Sequence, residues 1–177
     1  MWRLPGCYEH FPEAIHGIAQ FTHRLSVKKL QQAIVHALYC LNQDTYSLNT
    51  ITPFSSLKCE VSFEFGIADG NVFNYLDKEE LDRLQRDIAK RALSTIDFLC
   101  VVRYHVAKGG KRVPLKFDYH LLRLMFQRRK MQLQVFHERG TQRVSLEDLI
   151  TFVTKCIKDE LSQKQLKPLS LKYSRTL

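Results

Sequence analysis

The chain has 177 residues, and its 27 Lys and Arg against 18 Asp and Glu give it a formal charge of +9 at pH 7. This length suits one domain, and an apolar content of 45% excludes a disordered chain. The surplus of cations favours polyanionic partners such as nucleic acid, phosphorylated ligands or an acidic protein surface.

The five cysteines are scattered along the chain and form no CxxC pair, which excludes a zinc ribbon and a thioredoxin-type motif. Most lie in apolar segments, as buried free thiols do, and we therefore expect a reduced, cytoplasmic protein. The N-terminal segment has no apolar signal-peptide core, and no run approaches the roughly 18 apolar residues of a membrane span. We expect neither a membrane partner nor a metal or cofactor.

The first half of the chain begins with a predicted strand within residues 14–26. A helix follows that Ser26 caps and that ends near Gln43, because apolar residues recur there at helical spacing. A polar loop is expected over residues 44–56. Residues 58–67 alternate between apolar and polar side chains, which is typical of an antiparallel strand with one buried face.

Turn and N-cap residues indicate where the elements of the second half begin and end. Asp69-Gly70 fits a type I′ hairpin turn, and Asp77 then begins a helix, with Glu80 as its partner in a capping box. Three further strands, joined by the turns AKGGKR and RRK, are predicted over residues 95–106, 115–127 and 131–140. Ser145 caps the last helix.

These elements follow the order β-α-β-β-α-β-β-β-α, and the hairpin links favour antiparallel pairing. We therefore predict an α+β fold, in which helices pack on one face of a mainly antiparallel sheet of about six strands. We expect a single domain over residues 1–162 and a basic, flexible tail over residues 163–177.

The stretch FHERG, at the end of the last predicted strand, leads to the first candidate site. If Arg128-Arg129 is a two-residue turn, His120 lies opposite His137 and Asp118 lies opposite Arg139. Directly opposed side chains have Cβ atoms within roughly 5.5 Å of each other. The apolar face of the sheet would then end in a polar quartet made of Asp118, His120, His137 and Arg139.

Three interpretations of this quartet remain open. The favoured one is structural: Asp118 and Arg139 form a cross-strand ion pair, and neighbours satisfy the histidines. In the second, the quartet binds an anion together with Lys116 and Arg143, because the planar fork of arginine suits phosphate or carboxylate. In the third, a histidine oriented by Asp118 acts as a general base, or both histidines hold a metal. No GxSxG, HExxH or Cys-His signature is present, so the expectation leans against an enzyme.

Basic residues form the second candidate site. They cluster at two predicted hairpin tips and beyond the last helix: Lys108, Lys111, Arg112, Arg128, Arg129, Lys130, Lys164 and Lys167. The two tips should lie at opposite ends of the sheet and cannot form one compact patch. A solvated surface is the plain interpretation, and contact with a polyanion is the functional one.

Three functions follow from these features. The first is a non-catalytic module that binds an acidic partner, with nucleic acid as the leading candidate, through the basic tips and the C-terminal segment. The second is an enzyme or small-anion binder that uses the quartet. The third is a homodimer or a subunit of a complex, because an open, apolar sheet face would be an interface. The residues expected on that face are Phe117, Tyr119, Leu121, Met125 and Phe136.

Overall fold

The computed structural model of the chain describes residues 5–177, which contain four helices and eight strands. The helices are α1 (Val27–Leu41), α2 (Leu48–Ile51), α3 (Lys78–Lys90) and α4 (Leu146–Gln163). The strands are β1 (Gly17–Thr22), β2 (Thr45–Ser47), β3 (Glu60–Asp69), β4 (Val72–Tyr75), β5 (Thr95–Lys108), β6 (Lys111–Gln127), β7 (Lys130–Arg139) and β8 (Ser170–Thr176).

The strands join one sheet in the order β2-β3-β5-β6-β7-β1-β8, and β4 pairs with β3 beside this path. Within the described part of the chain, these strands pair antiparallel throughout, which confirms the predicted α+β class and mainly antiparallel sheet. The predicted count of about six strands is wrong, because the sheet has eight strands and curls into a half-barrel.

The two additional strands lie where no strand was predicted. β2 falls within the expected loop over residues 44–56 and is only three residues long, too short to display a clear alternation. β8 falls within the segment expected to be a flexible tail and pairs with β1 at the edge of the sheet. Almost all of its side chains are exposed, so main-chain pairing, rather than a buried apolar face, holds it in the sheet.

The three long helices begin at the predicted capping residues. In each helix the N-cap side chain accepts a hydrogen bond from the main-chain N–H three residues later: Ser26 from Lys29, Asp77 from Glu80, and Ser145 from Asp148. The capping box at Asp77 is only half formed, because the Glu80 carboxylate accepts from Arg83 instead of reaching back.

The turn between β3 and β4 differs from the prediction in position and type. Asp69 pairs with Val72, so the two central residues are Gly70 and Asn71 rather than Asp69 and Gly70. Only Gly70 has a positive φ, of 69°. That pattern belongs to a type II′ turn, whereas a type I′ turn needs positive φ at both central residues.

Helix α1 contacts both α3 and α4, and the three helices pack on the inner face of the curled sheet. The side chains that alternate toward them form one core, in which Phe63, Phe65 and Phe98 are at most 1% exposed. Burial of such a side chain contributes about 1.5–3 kcal/mol, so this layer determines which face of each strand points inward. Among residues 5–177, no helix combines the length and apolarity needed to cross a membrane.

Candidate functional site

The β6–β7 hairpin has the predicted two-residue turn, and its register brings His120 opposite His137. One step further the register shifts, because β7 has one extra residue there and Arg139 pairs with Tyr119. The expected pairing of Asp118 with Arg139 is therefore wrong: a β-bulge places Arg139 on the outer face with Tyr119. The Arg139 guanidinium lies 4.5 Å from the centre of the Tyr119 ring.

Asp118 has no exposed surface, and its carboxylate accepts three hydrogen bonds. Oδ2 accepts from the Tyr104 hydroxyl at 2.6 Å, and Oδ1 accepts from His137 Nε2 at 3.1 Å and from the Gln142 N–H at 2.8 Å. The Tyr104 oxygen in turn accepts from the Val144 N–H at 3.0 Å. Burial, and then the Asp118 carboxylate, raise the pKa of Tyr104 far above its ordinary value, so the hydroxyl stays protonated and donates.

Gly140 allows the chain to pass close to Asp118. Its φ is +127°, and a Cβ at this position would overlap Asp118 Oδ1 and lie 2.6 Å from the carbonyl oxygen of Phe117. Both the backbone conformation and the lack of space therefore require glycine. The glycine of FHERG is thus explained by its packing against a buried carboxylate.

His120 lies beside this network without joining it. It is fully buried, it faces Cys100 on β5, and neither of its ring nitrogens has a hydrogen-bond partner. Burial, followed by the His137 ring whose centre is 5.0 Å away, lowers the pKa of His120 from 6.5 to about 4. The imidazole is therefore neutral at pH 7, and its desolvated nitrogens are a cost to stability.

The polar site predicted from the sequence is only partly assembled. The structure brings together three of its residues: Asp118, His120 and His137. Lys116 is exposed and forms no hydrogen bond or salt bridge with the cluster, and the exposed Arg139 lies over the Tyr119 ring on the outer face. The Arg143 guanidinium lies 5.7 Å from the centre of the Tyr104 ring, on the rim of the cluster.

The solvent exposure of its side chains distinguishes the structural interpretation of this cluster from the anion-binding and catalytic ones. His137 is its most accessible member, and only 11% of that side chain is exposed. Asp118 and His120 have no exposed surface, so a substrate or anion has almost nothing to contact. Within residues 5–177, no group of three or more His, Cys, Asp and Glu side chains is arranged to hold a metal ion. The contacts of the cluster are those of a buried structural network.

A second polar region lies at the other end of β7, where three chain segments meet around the last residue of β1. Thr22 pairs with Lys130 on β7 and with Ser170 on β8. This register places Arg24, two residues after Thr22, between the β6–β7 turn and the connection that leads into β8. The sequence had indicated separate basic regions here, and the pairing of β8 with β1 brings them together.

Three adjoining clefts cross this end of the sheet, with volumes of about 420, 620 and 400 Å³. We call them together the basic groove, because six cations line them: Arg24, Arg128, Arg129, Lys130, Lys167 and Lys172. None of the lining residues is Asp or Glu, although the chain contains 18 of these. All six cations are exposed, and in the described part of the chain none of them forms a salt bridge.

His23 fixes the loop that presents Arg24. This histidine is 3% exposed, its main-chain N–H donates to the Arg129 carbonyl oxygen at 3.1 Å, and its Nδ1 accepts the Leu25 N–H at 3.2 Å. Burial lowers the pKa of His23 below its ordinary value, so the ring stays neutral and its nitrogen can accept. The loop and the hairpin tip are therefore held together without an acidic residue.

The other predicted basic residues lie away from the groove or are already paired. Lys108 and Lys111 flank the opposite hairpin tip, where β5 and β6 extend beyond β3 and β7 as a two-stranded ribbon. Arg112 Nε lies 3.2 Å from a carboxylate of β3, and Lys164 Nζ lies 2.8 Å from Glu160. Of the eight basic residues predicted as contacts, the groove therefore brings together Arg128, Arg129, Lys130 and Lys167.

Sequence reasoning missed part of the groove. Arg24 is an isolated cation between the first predicted strand and the N-cap of the first helix. No neighbouring residue in the sequence indicates that it belongs to a basic site. Lys172 belongs to the C-terminal basic segment that the sequence already indicated, but the edge strand that places Lys172 and Tyr173 beside β1 was not predicted. A usable signal was present there, because Leu169, Leu171 and Tyr173 alternate with polar residues, as in an edge strand.

The outer face of the sheet, expected to be open and apolar, is partly covered by residues 5–16. The Arg123 guanidinium lies 4.2 Å from the centre of the Phe11 ring, and His16 stacks on Phe136 at 4.5 Å. Of the five apolar residues expected there, only Phe117 is strongly exposed, at 45%. The face on which an interface was expected is therefore partly covered, and the expectation of an interface there stays a prediction.

Comparison of the chain with protein-family models, with curated proteins and with solved structures finds no significant match in any of the three. What the sites can do therefore follows from the residues and contacts of this chain.

Proposed function

We propose that this protein is a non-catalytic module that binds nucleic acid along the basic groove. The observation that carries the proposal is the convergence of six exposed cations, free of salt bridges, from three separate chain segments on a groove without acidic lining residues. Lys and Arg on such a surface displace condensed counterions from a phosphate backbone, and the release of these counterions drives binding.

Neutral side chains next to the cations favour nucleic acid over other polyanions. Across the outer face the register aligns Met125, Gln132, Gln20 and Tyr173 in one row over four strands. Met125, Gln132 and Gln20 line the groove, and Tyr173 at the end of the row is 45% exposed. Amide groups can hydrogen-bond base edges, and a tyrosine ring or a thioether can pack on a base face.

A single strand is the form that these features suit. Stacking on Tyr173 needs a base whose face is free, which a paired duplex does not offer along its length. The cations near the row would follow the backbone while the row contacts the bases. We therefore propose single-stranded RNA or DNA as the ligand.

The thiol chemistry supports a reducing compartment, and we place the module in the cytoplasm. All five cysteines are free. Burial raises the pKa of Cys156 to about 11 and raises the pKa of Cys100 above its ordinary value, so both thiols stay protonated and unreactive. Free thiols of this kind are typical of cytosolic proteins.

Fluorescence anisotropy with labelled oligonucleotides of about 16 nucleotides, a length that covers a typical single-strand site, tests the proposal. We expect single-stranded RNA or DNA to bind more tightly than the matching duplex. With about six phosphate contacts, affinity should fall on the order of a hundredfold between about 50 and 200 mM salt. Absence of binding to every oligonucleotide at low salt, or binding that salt does not weaken, would contradict the proposal.

A further inference from the structure

The basic groove changes in character along its length. At one end, which we call the sheet end, two of the nine lining residues are cations, Lys130 and Lys172. At the other end, which we call the helix end, four of the six are cations: Arg24, Arg128, Arg129 and Lys167. The middle cleft shares lining residues with both ends, and the two ends share none. Positive charge therefore concentrates toward the helix end.

The helix end also lies at the start of α1. Its remaining lining residues are Leu25 and Ser26, and Ser26 is the N-cap of that helix. The first turn of α1 has no acidic residue, whereas the first turns of α3 and α4 have two each. The first main-chain N–H groups of a helix have no partner within it and add partial positive charge. This partial charge adds to that of the four cations, which carry the charge of the cleft.

The β6–β7 turn presents its cations at a cost in backbone energy. Arg129 has a φ of 66°, a left-handed conformation that favours glycine or asparagine over a long side chain. The His23 N–H holds this turn by donating to the Arg129 carbonyl oxygen. An arginine at a position that suits glycine points to a use for its guanidinium.

We infer that the helix end is a subsite for a phosphate monoester, namely the terminal phosphate of a nucleic-acid strand whose bases lie toward the sheet end. This inference rests on the proposed function. A monoester carries a charge of about −1.5 to −2 and three strong acceptor oxygens, while an internal phosphodiester has a single charge and two free oxygens. Three guanidinium groups and one ammonium group match the larger number of acceptors, because each planar fork can engage two oxygens.

The test compares one oligonucleotide sequence in three forms, with a 5′-phosphate, with a 3′-phosphate and without a terminal phosphate. We expect one of the phosphorylated forms to bind the wild-type protein on the order of tenfold more tightly than the unmodified strand, because the extra charge and oxygen meet the helix end. The identity of the favoured form gives the direction of the strand. Equal affinity for all three forms would overturn the subsite and leave the proposed function standing, whereas absence of any binding would overturn both.

Two double variants locate the effect within the groove. Arg24→Gln with Lys167→Gln removes two charges at the helix end, and Lys130→Gln with Lys172→Gln removes two at the sheet end. All four side chains are exposed, so both proteins should fold, which their thermal unfolding checks. We expect the helix-end variant to lose the preference for the phosphorylated strand and the sheet-end variant to keep it while binding every form more weakly. A preference that survives in the helix-end variant would overturn the inference.

Discussion

The hydroxyl of Tyr104 donates a 2.6 Å hydrogen bond to the buried carboxylate of Asp118 on the neighbouring strand. The same oxygen accepts the main-chain N–H of Val144, just before α4 begins. One side chain therefore links the end of the sheet to the start of the last helix. The polar residues near FHERG, which first suggested an active site, surround this link and stabilise it.

Tyr104→Phe should destabilise the fold strongly, because it leaves the buried Oδ2 of Asp118 and the Val144 N–H each without a partner. Each unsatisfied buried group costs about 1–3 kcal/mol, so we expect the free energy of unfolding to fall by about 3 kcal/mol. Urea unfolding followed by circular dichroism measures it. Tyr119→Phe removes the same atom from a partly exposed ring and should change the free energy by less than about 0.5 kcal/mol. Equal losses in the two variants would be inconsistent with the network.

Gly140→Ala should be among the most damaging single substitutions in the chain. The new methyl group would overlap Asp118 Oδ1, and φ is already +127°, so we expect a loss of about 3 kcal/mol or more. Gly110→Ala is the matched control, because Gly110 also has a positive φ, of 74°, but a Cβ added there would meet no atom within 4 Å. That control should cost only the backbone strain, about 1–2 kcal/mol. Thermal unfolding of both variants measures the difference, and similar melting temperatures would contradict the close approach.

His120 should make stability depend on pH in a defined window. Its folded pKa of about 4 lies below the ordinary 6.5, so between these values the unfolded state binds a proton that the folded state does not. The free energy of unfolding must therefore fall as pH drops from 6.5 to 4, by up to about 3 kcal/mol from this residue. Below pH 4 the contribution changes no further.

His120→Leu isolates this effect from the other groups that titrate in the same range. The variant should be about 1 kcal/mol more stable at pH 7, because it removes two buried nitrogens without partners. Its loss of stability between pH 6.5 and 4 should be smaller than that of the wild type. A profile for His120→Leu parallel to that of the wild type would show that His120 does not titrate as argued.

Features that depend on local sequence could be predicted. Ser26, Asp77 and Ser145 begin the helices because capping is a contact over three residues. The register that pairs His120 with His137 followed from a two-residue turn and the alternation of apolar residues. These predictions needed no knowledge of distant segments.

Features that depend on distant segments could not be predicted. The bulge that separates Asp118 from Arg139 arises where the chain at Gly140 packs against a buried carboxylate, which is a contact in three dimensions. The basic groove needed the pairing of β8 with β1, and β8 has no buried face to mark it. The sequence therefore identifies most of these cations but does not show that they line one groove.

Arg129→Gly should improve stability and weaken binding at once. Glycine relieves the left-handed strain at φ 66°, so we expect a gain of roughly 0.5–1 kcal/mol in the free energy of unfolding. Arg128→Gly removes the same charge where φ is not positive and should instead lose roughly 0.5–1 kcal/mol through chain entropy. Both variants should bind single-stranded oligonucleotides more weakly than the wild type. Urea unfolding and anisotropy titration check the pair, and unchanged affinity in both would exclude the turn from the binding surface.

We have proposed that the basic groove, and not positive charge in general, binds nucleic acid. The most direct measurement is the salt dependence of single-strand affinity in two triple variants of equal charge change. One variant replaces Arg128, Lys130 and Lys167 in the groove by Gln, and the other, the ribbon variant, replaces Lys108, Lys111 and Lys116 on or next to the β5–β6 ribbon by Gln. We predict that the groove variant lowers the magnitude of the slope of log affinity against log salt by about 2, as expected for three lost contacts to a single strand. The ribbon variant should keep the wild-type slope, and equal slopes for the two variants, or a larger loss in the ribbon variant, would contradict the account.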